Sequence, residues 1–385
     1  MNRLAIISTH PIQYNVPFFR KLAELSTIEV KVFYTYSQSE QGFTDPGFGK
    51  VLDWNIPLLD GYQFEFVENK ASKPSNRSFF GINCPELIEK INTFNPNAIL
   101  IYGWNFKAHF EAMRYFKNKV PVWFRGDSHL LDEKPGLKTL LRRILLRFVY
   151  KHIDLAFFVG SSNYDYYLAH GLKPNQLAFA PHAIDNEYFT SKLNPQASIK
   201  LRTDLKIAPI DFVVLFAGKF EPKKNPNLIL DAAAKMPYIK FILAGSGILE
   251  NELKNNAVGL TNISFLPFQS QPEMPILYGS ADVFVYPSVG PGETWGLAVN
   301  EALACKLPVI ISNRVGCAAN FGLSEVVKVF DSEKKVDFFD AIRFFYNNRI
   351  DKVKIGEEAQ NLVSNYKIDN FVLAVETAFK NTKKL

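Results

Sequence analysis

At 385 residues the chain is long enough for two or three domains of about 100–200 residues each. Hydrophobic residues make up 47% and charged residues 21%, which excludes wholesale disorder. The net charge of +6 is shared evenly by the two halves, so no basic tail points to nucleic acid, and three scattered cysteines (Cys84, Cys305, Cys317) exclude a disulfide framework and fit a reducing compartment.

The apolar start is short and meets His10, Pro11 and Gln13 at once. It reads as a first strand, Leu4–Ser8, and not as the core of a signal peptide. Val16–Leu25 reads as a helix and Val30–Tyr34 as a strand. Residues 36–83 read as irregular. The alternation then resumes with helix Pro85–Phe94, strand Ala98–Tyr102, helix Phe106–Lys117, strand Val120–Phe124, helix Leu137–Lys151 and strand Leu155–Val159. Continuous apolar strands between helices predict a parallel sheet covered on both faces.

Residues 191–209 read as a linker, with a short helix within the break. A second series follows, with strands Phe212–Ala217, Lys240–Ala244, Ile263–Leu266, Val283–Tyr286, Pro308–Ile311 and Val326–Phe330. Its helices are Asn227–Met236, Glu250–Asn255, Pro272–Gly279, Trp295–Cys305 and Val336–Asn347. In the tail, Phe371, Val372, Val375, Ala378 and Phe379 fall on one helical stripe. The expected architecture is α/β: a doubly wound domain over 1–190, the linker, a second over 210–363, and a terminal helix within 364–385. Ligands of such sheets bind beyond the C-terminal strand ends, so a cleft between the domains is the expected active site. No run approaches the ~18 apolar residues of a membrane span.

Three stretches of the second domain carry chemistry. In the first, a strand ends at Pro287, a Gly/Pro-rich loop follows, and a helix begins near Thr294–Gly296. Glu293 stands at that helix start and Glu301 within it, about 12 Å further along the axis at 1.5 Å per residue. That is roughly the span of a diphosphate with a sugar on each side. Free amides at the helix start suit phosphate oxygens. The second stretch is Gly218-Lys219-Phe-Glu-Pro-Lys223-Lys224, whose cations suit a diphosphate leaving group. The third, Gly245-Ser-Gly247, lacks the third glycine of a dinucleotide fingerprint, because Glu250 stands there. This argues against an NAD dehydrogenase. Plainer readings stand beside these: a solvated helix face, a solvated lysine loop, a tight strand-to-helix turn.

With these motifs on hand, the chain resembles the glycosyltransferases of the GT-B fold, family 4. Glu293 and Glu301 match the family's Glu-x7-Glu motif, and Gly218, Lys219 and Lys224 its phosphate loop. Gly245 and Gly247 match its Gly-x-Gly turn. Tyr286-Pro-Ser and the stretch from Ala302 to Ile310 match the flanks of the Glu motif, and Ala180-Pro-His-Ala-Ile-Asp185 resembles the segment before the linker. The resemblance implies two Rossmann-like domains with a terminal helix returning to the first. It implies retaining transfer of a sugar from a nucleotide-diphosphate co-substrate to a hydroxyl acceptor, with no cofactor and no metal. Lys219 and Lys224 would stabilise the leaving diphosphate, Glu301 would hold the ribose, and Glu293 the donor sugar's hydroxyls. Backbone around Thr294, Trp295, Gly296 and Leu297 would touch phosphate or sugar.

The first domain departs from the family pattern. Arg125 stands where many members have a histidine, and is expected either to contact the donor or, with Asp127, to brace the loop. On the acceptor side stand His10, Gln13, Tyr14, Trp104, Asp127 and His129, with packing roles as the alternative. Residues 134–151 hold six basic residues and no acid. There Leu137, Leu140, Leu141, Ile144 and Phe148 are expected to form the core stripe. Lys138, Arg142, Arg143 and Arg147, with Leu146 and Tyr150 among them, would face outward. Such a face suits either plain solvent or an anionic membrane surface. The expected setting is cytoplasmic, peripheral to a membrane if that contact forms. Rival readings are a sugar-nucleotide epimerase or phosphorylase of the same fold and an inactive sugar- or nucleotide-binding relative.

Overall fold

The computed structural model describes residues 1–39, 44–45, 50–51, 57–348 and 352–382. The chain divides into two compact units. One comprises Met1–Phe43, Ile56–His182 and Ile368–Leu385; the other comprises Thr44–Asn55 and Ala183–Lys367.

In chain order, the elements up to His182 are β1 (Asn2–Ser8), α1 (Val16–Ala23), β2 (Ile28–Tyr34), β3 (Thr44–Asp45), β4 (Lys50–Val51), β5 (Gln63–Phe66), α2 (Leu87–Phe94), β6 (Ala98–Tyr102), α3 (Lys107–Phe116), β7 (Val122–Arg125), α4 (Leu137–Tyr150), β8 (Leu155–Phe158), α5 (Ser161–Ala169) and β9 (Leu177–Phe179). The two-residue strands β3 and β4 pair only with each other, antiparallel. The others form a seven-stranded parallel sheet in the order β5-β2-β1-β6-β7-β8-β9. Leu4, Ala5, Ile6 and Ile7 of β1 are all fully buried, as a central strand covered on both faces requires.

The second series is α6 (Asn186–Ser191), α7 (Pro195–Asp204), β10 (Val213–Ala217), α8 (Asn227–Lys235), β11 (Lys240–Ala244), α9 (Glu250–Asn256), β12 (Ile263–Leu266), α10 (Met274–Gly279), β13 (Val283–Tyr286), α11 (Leu297–Ala304), β14 (Val309–Ser312), α12 (Ala318–Phe321), β15 (Val327–Phe330), α13 (Lys335–Asn347) and α14 (Lys352–Val363). Its six parallel strands run β12-β11-β10-β13-β14-β15. In both sheets the strand order reverses beside the first strand, at β1/β6 and at β10/β13. Crevices for ligands open at such switch points, beyond the C-terminal strand ends.

Two expectations change here, on residues 36–83 and on α4. Residues 191–209 hold the expected short helix, α7, and it is well tied down. Asn194 caps α7 by accepting from Ala197 N at 3.0 Å, Ser198 donates to Ile276 O at 2.9 Å, and Arg202 donates to Ser280 O at 2.9 Å and pairs with Asp282 at 2.6 Å. This stretch lies within the second unit. Residues 36–83 contain β5, an edge strand. The faces of α4 are reversed: Leu146, Val149 and Tyr150 are its buried residues, while Leu137, Leu140, Leu141, Ile144 and Phe148 are exposed. A periodic pattern establishes that an apolar stripe exists; it does not say that the sheet covers it. The terminal helix α15 (Ile368–Thr382) belongs to the first unit, with Phe371 4.5 Å from Phe18 and Phe379 4.7 Å from Trp123 between ring centroids.

Candidate functional site

The β10 loop begins at Gly218 and is anchored by Phe220, which is buried and stacks on Phe216 at 6.2 Å. The next loop lies directly on it. Gly218 N donates to Ala244 O at 3.0 Å and Phe220 N to Ser246 O at 2.9 Å. At Gly245, which has φ +149°, a Cβ would stand 1.9 Å from Gly218 O, so no larger residue fits. At Gly247 the nearest atom to such a Cβ is Phe220 O, at 2.5 Å. These two glycines therefore seat the β11 loop under the lysine loop.

The loop after β13 meets the same lysines from the other side of the switch point. Val289 N donates to Lys223 O at 2.8 Å. Glu293 is buried, and its Oε2 lies 2.5 Å from Lys224 Nζ. Tyr286 OH donates to Glu293 Oε1 at 2.9 Å, and Ser288 Oγ lies 2.9 Å from Oε2. Tyr286 OH also accepts from Lys224 Nζ. Burial pushes the Glu293 carboxyl up, but the Lys224 charge and the hydrogen bonds of Lys224, Ser288 and Tyr286 outweigh it and hold the group below its ordinary value. Burial presses the Lys224 ammonium down from the usual lysine range, and Glu293 opposes that. Lys219 stands partly exposed on the same loop.

Thr294 and Trp295 lie on a backbone strut after β14. Gly316 N donates to Glu293 O at 3.0 Å and Cys317 N to Trp295 O at 3.1 Å. A Cβ at Gly316 would lie 1.8 Å from Thr294 O. The Trp295 ring is core: it sits 5.8 Å from Phe321 and 5.4 Å from Tyr366, and its Nε1 donates to Asn300 Oδ1 at 2.9 Å. Any ligand contact from Trp295 is therefore through backbone. Gly296 caps α11, Leu297 opens it, and Glu301 lies inside it, buried, accepting from Tyr278 OH at 2.8 Å. Lys219, Lys224, Glu293 and Glu301 thus all sit at or beyond the β10/β13 switch point. Ser288, Tyr278 and Gly316 were missed. Ser288 had a signal, since it follows Tyr286-Pro ahead of the acidic pair; Tyr278 had none.

The residues named in the first unit split into two groups. His10, Gln13 and Tyr14 follow β1, and Trp104 follows β6, so all four stand at the β1/β6 switch point. Gln13 is buried and its Oε1 has no hydrogen-bond partner; the Tyr102 hydroxyl, at the end of β6, is in the same state. His10 Nδ1 lies 2.9 Å from Thr9 Oγ1. Asp127 Oδ2 lies 3.6 Å from His182 Nε2, and the buried His129 accepts from Leu131 N at 3.2 Å. Of its two expected roles, Arg125 has the geometry of the brace. It is buried, its Nη1 and Nη2 donate to Ala180 O and Pro181 O at 2.8 and 2.9 Å, and its guanidinium lies over the rings of Phe371 and Phe18. A planar fork spent on two carbonyls and laid over two rings is a brace.

Residues 198–362 match the family described as glycosyl transferases group 1. A D-inositol 3-phosphate glycosyltransferase of Mycobacterium sp. (strain JLS) is 32% identical over 152 residues, which are 37% of this chain and 33% of that protein. The match thus spans about a third of the relative's length. Over the whole chain the structure resembles Anabaena Alr3699/HepE in complex with UDP, with a TM-score of 0.73 and 17% identity, covering 99% of this chain and 100% of that one. It also resembles a sucrose-phosphate synthase from Thermosynechococcus elongatus, with a TM-score of 0.74 and 16% identity, covering 99% of each chain. The chain has the GT-B fold, and its second unit carries the stretch that matches the glycosyl transferases group 1.

Proposed function

We propose that the protein is a retaining glycosyltransferase of family 4, moving a sugar from a nucleotide-diphosphate donor to a hydroxyl acceptor. The observation that carries this is the ionised Glu293, aimed by Tyr286 and Ser288 and paired with Lys224 at the β10/β13 switch point. When a donor's diphosphate enters, Lys224 exchanges the carboxylate for phosphate oxygens. Glu293 keeps its two hydroxyl partners and is left facing the sugar. Lys219 adds a second cation to the charge that grows on the leaving diphosphate as the bond from sugar carbon to phosphate oxygen breaks. The two lysines meet this charge without a resident metal in this reading. Glu301 holds the ribose. Acceptor recognition falls to the first unit, where the unpartnered Gln13 Oε1 offers a hydrogen-bond acceptor to an incoming hydroxyl, with His10, Tyr14, Trp104, Asp127 and His129 around that rim. Residues 134–151 give the enzyme a contact with an anionic membrane face.

The names of the two kinds of relative agree with this reading, one being a glycosyltransferase and one a complex with UDP. A thermal-shift series with UDP, GDP, ADP, CMP and their sugar conjugates, in the presence of a chelator, tests it. One diphosphate should raise Tm by mass action, and Lys219→Ala should abolish the rise. Silence across the whole series would remove the donor site and leave a binding or inactive relative.

A further inference from the structure

The face that α4 turns outward is apolar. Leu137, Leu140, Leu141, Ile144, Leu145 and Phe148 are between 46% and 71% exposed, while only Leu146, Val149 and Tyr150 reach the core. At 100° per residue the exposed six form one continuous stripe opposite the buried three. The stripe does not end with the helix. Phe110 of α3 lies 6.3 Å from Phe148, Phe79 lies 6.3 Å from Phe110, and Phe80, beside Phe79, is 73% exposed. An apolar patch drawn from three segments is unusual on a solvated surface and marks something that covers it.

The charges say what covers it. Lys138 and Arg142 run along one flank of the stripe and Arg147 and Lys151 along the other, with Lys134 ahead of it, all exposed. Within the chain, Arg143 is answered by Glu133 at 3.2 Å and Arg142 donates to the Tyr166 hydroxyl at 3.0 Å. Laying two copies of this face together would set cation against cation, a costly arrangement. A layer that accepts apolar side chains between anionic groups satisfies both parts of the surface at once.

We infer that α4 seats its leucine stripe, together with Phe80, in the interface of an anionic bilayer, the helix lying in the plane of the surface with its cations among the head groups. This deepens the membrane contact proposed above by reversing the face that makes it: the leucines enter, and the cations flank. It rests on the first unit alone and not on the donor site.

Flotation with vesicles of phosphatidylcholine alone and with added phosphatidylglycerol tests it, alongside sedimentation velocity without lipid. The full chain should float with the anionic vesicles and not with the neutral ones. Leu141→Glu and Ile144→Glu should each weaken flotation by about tenfold or more, since each withdraws a large apolar side chain from the interface. Lys134→Glu with Lys138→Glu should weaken it and flatten its salt dependence, since fewer cations remain to be screened. These side chains are exposed, so all variants should keep wild-type melting and nucleotide response. No flotation with either vesicle, or flotation that Leu141→Glu leaves unchanged, overturns the inference. So does a dimer in lipid-free solution that Leu141→Glu dissolves, which would make this face a contact between copies.

Discussion

Tyr286, Ser288 and Lys224 hold the Glu293 carboxylate, and they differ in what they do. Tyr286 and Ser288 are neutral and fix where the carboxylate points; Lys224 supplies the charge that keeps it ionised. The pair is nearly out of water, so each charge is costly without the other. In Glu293→Gln, Lys224 keeps its burial and loses its counter-ion, for a cost of about 3 kcal/mol at neutral pH. The pH dependence follows from the depressed carboxyl. A group held below its ordinary value of 4.5 in the folded state contributes stability that is present above that value and is lost as pH falls through the lower, folded one. Urea unfolding of wild type and Glu293→Gln should therefore differ most near neutrality and converge in acid below 4.5. A gap that stays constant into acid would mean that Glu293 is not held ionised.

At the scale of elements, the lysine loop owes its place to the loop beneath it. Gly245→Ala drives a Cβ to 1.9 Å from Gly218 O at a φ that side chains rarely adopt, so the two loops must part. The expected cost is about 2–4 kcal/mol, from backbone strain and lost packing together, and the diphosphate response should vanish with it. Gly218→Ala is the control, since its Cβ meets only Phe216 Cζ at an ordinary 3.6 Å. If the two variants melt and respond alike, the close approach is not what builds the site. The same contrast shows what a sequence can disclose. Lys219, Lys224, Glu293 and Glu301 were legible because central strands of unbroken apolar residues hand over to glycine-rich turns, and that handover fixes which end of the sheet they occupy. The edges of the first sheet were not legible. β5 is exposed or half-exposed along its length, β9 is three residues long, and α5 mixes three tyrosines with polar residues on a helix that buries Asn163, Tyr166 and Tyr167. Edge elements bury too little to impose a period. The partners of Arg125 were hidden for another reason: nothing local to 121–129 announces that two carbonyls at 180 and 181 will take its guanidinium.

At the scale of the whole molecule, the last helix completes the first unit. The tail stripe Phe371, Val372, Val375, Ala378 and Phe379 is buried throughout. Its contacts reach α1 through Phe18 and β7 through Trp123, and Phe371 lies 4.9 Å beneath the Arg125 guanidinium. Arg125 in turn holds the backbone at Ala180 and Pro181, next to His182 at the end of this unit's middle segment. One chain end thus braces residues nearly two hundred positions earlier, and the first unit cannot be complete until the second has been made. Phe379→Ala removes the ring packed on Trp123 and should cost the first unit about 3–5 kcal/mol, the usual range for a buried Phe cut to Ala. The helix belongs to the first unit and the β10/β13 site to the second, so the loss should stay local. Urea unfolding of the variant should separate into two steps, the earlier one carrying the change in Trp123 emission. The nucleotide-diphosphate response should persist after that first step. A single step at lower urea, with emission and nucleotide response lost together, would show that the two units unfold as one and that the terminal helix serves both.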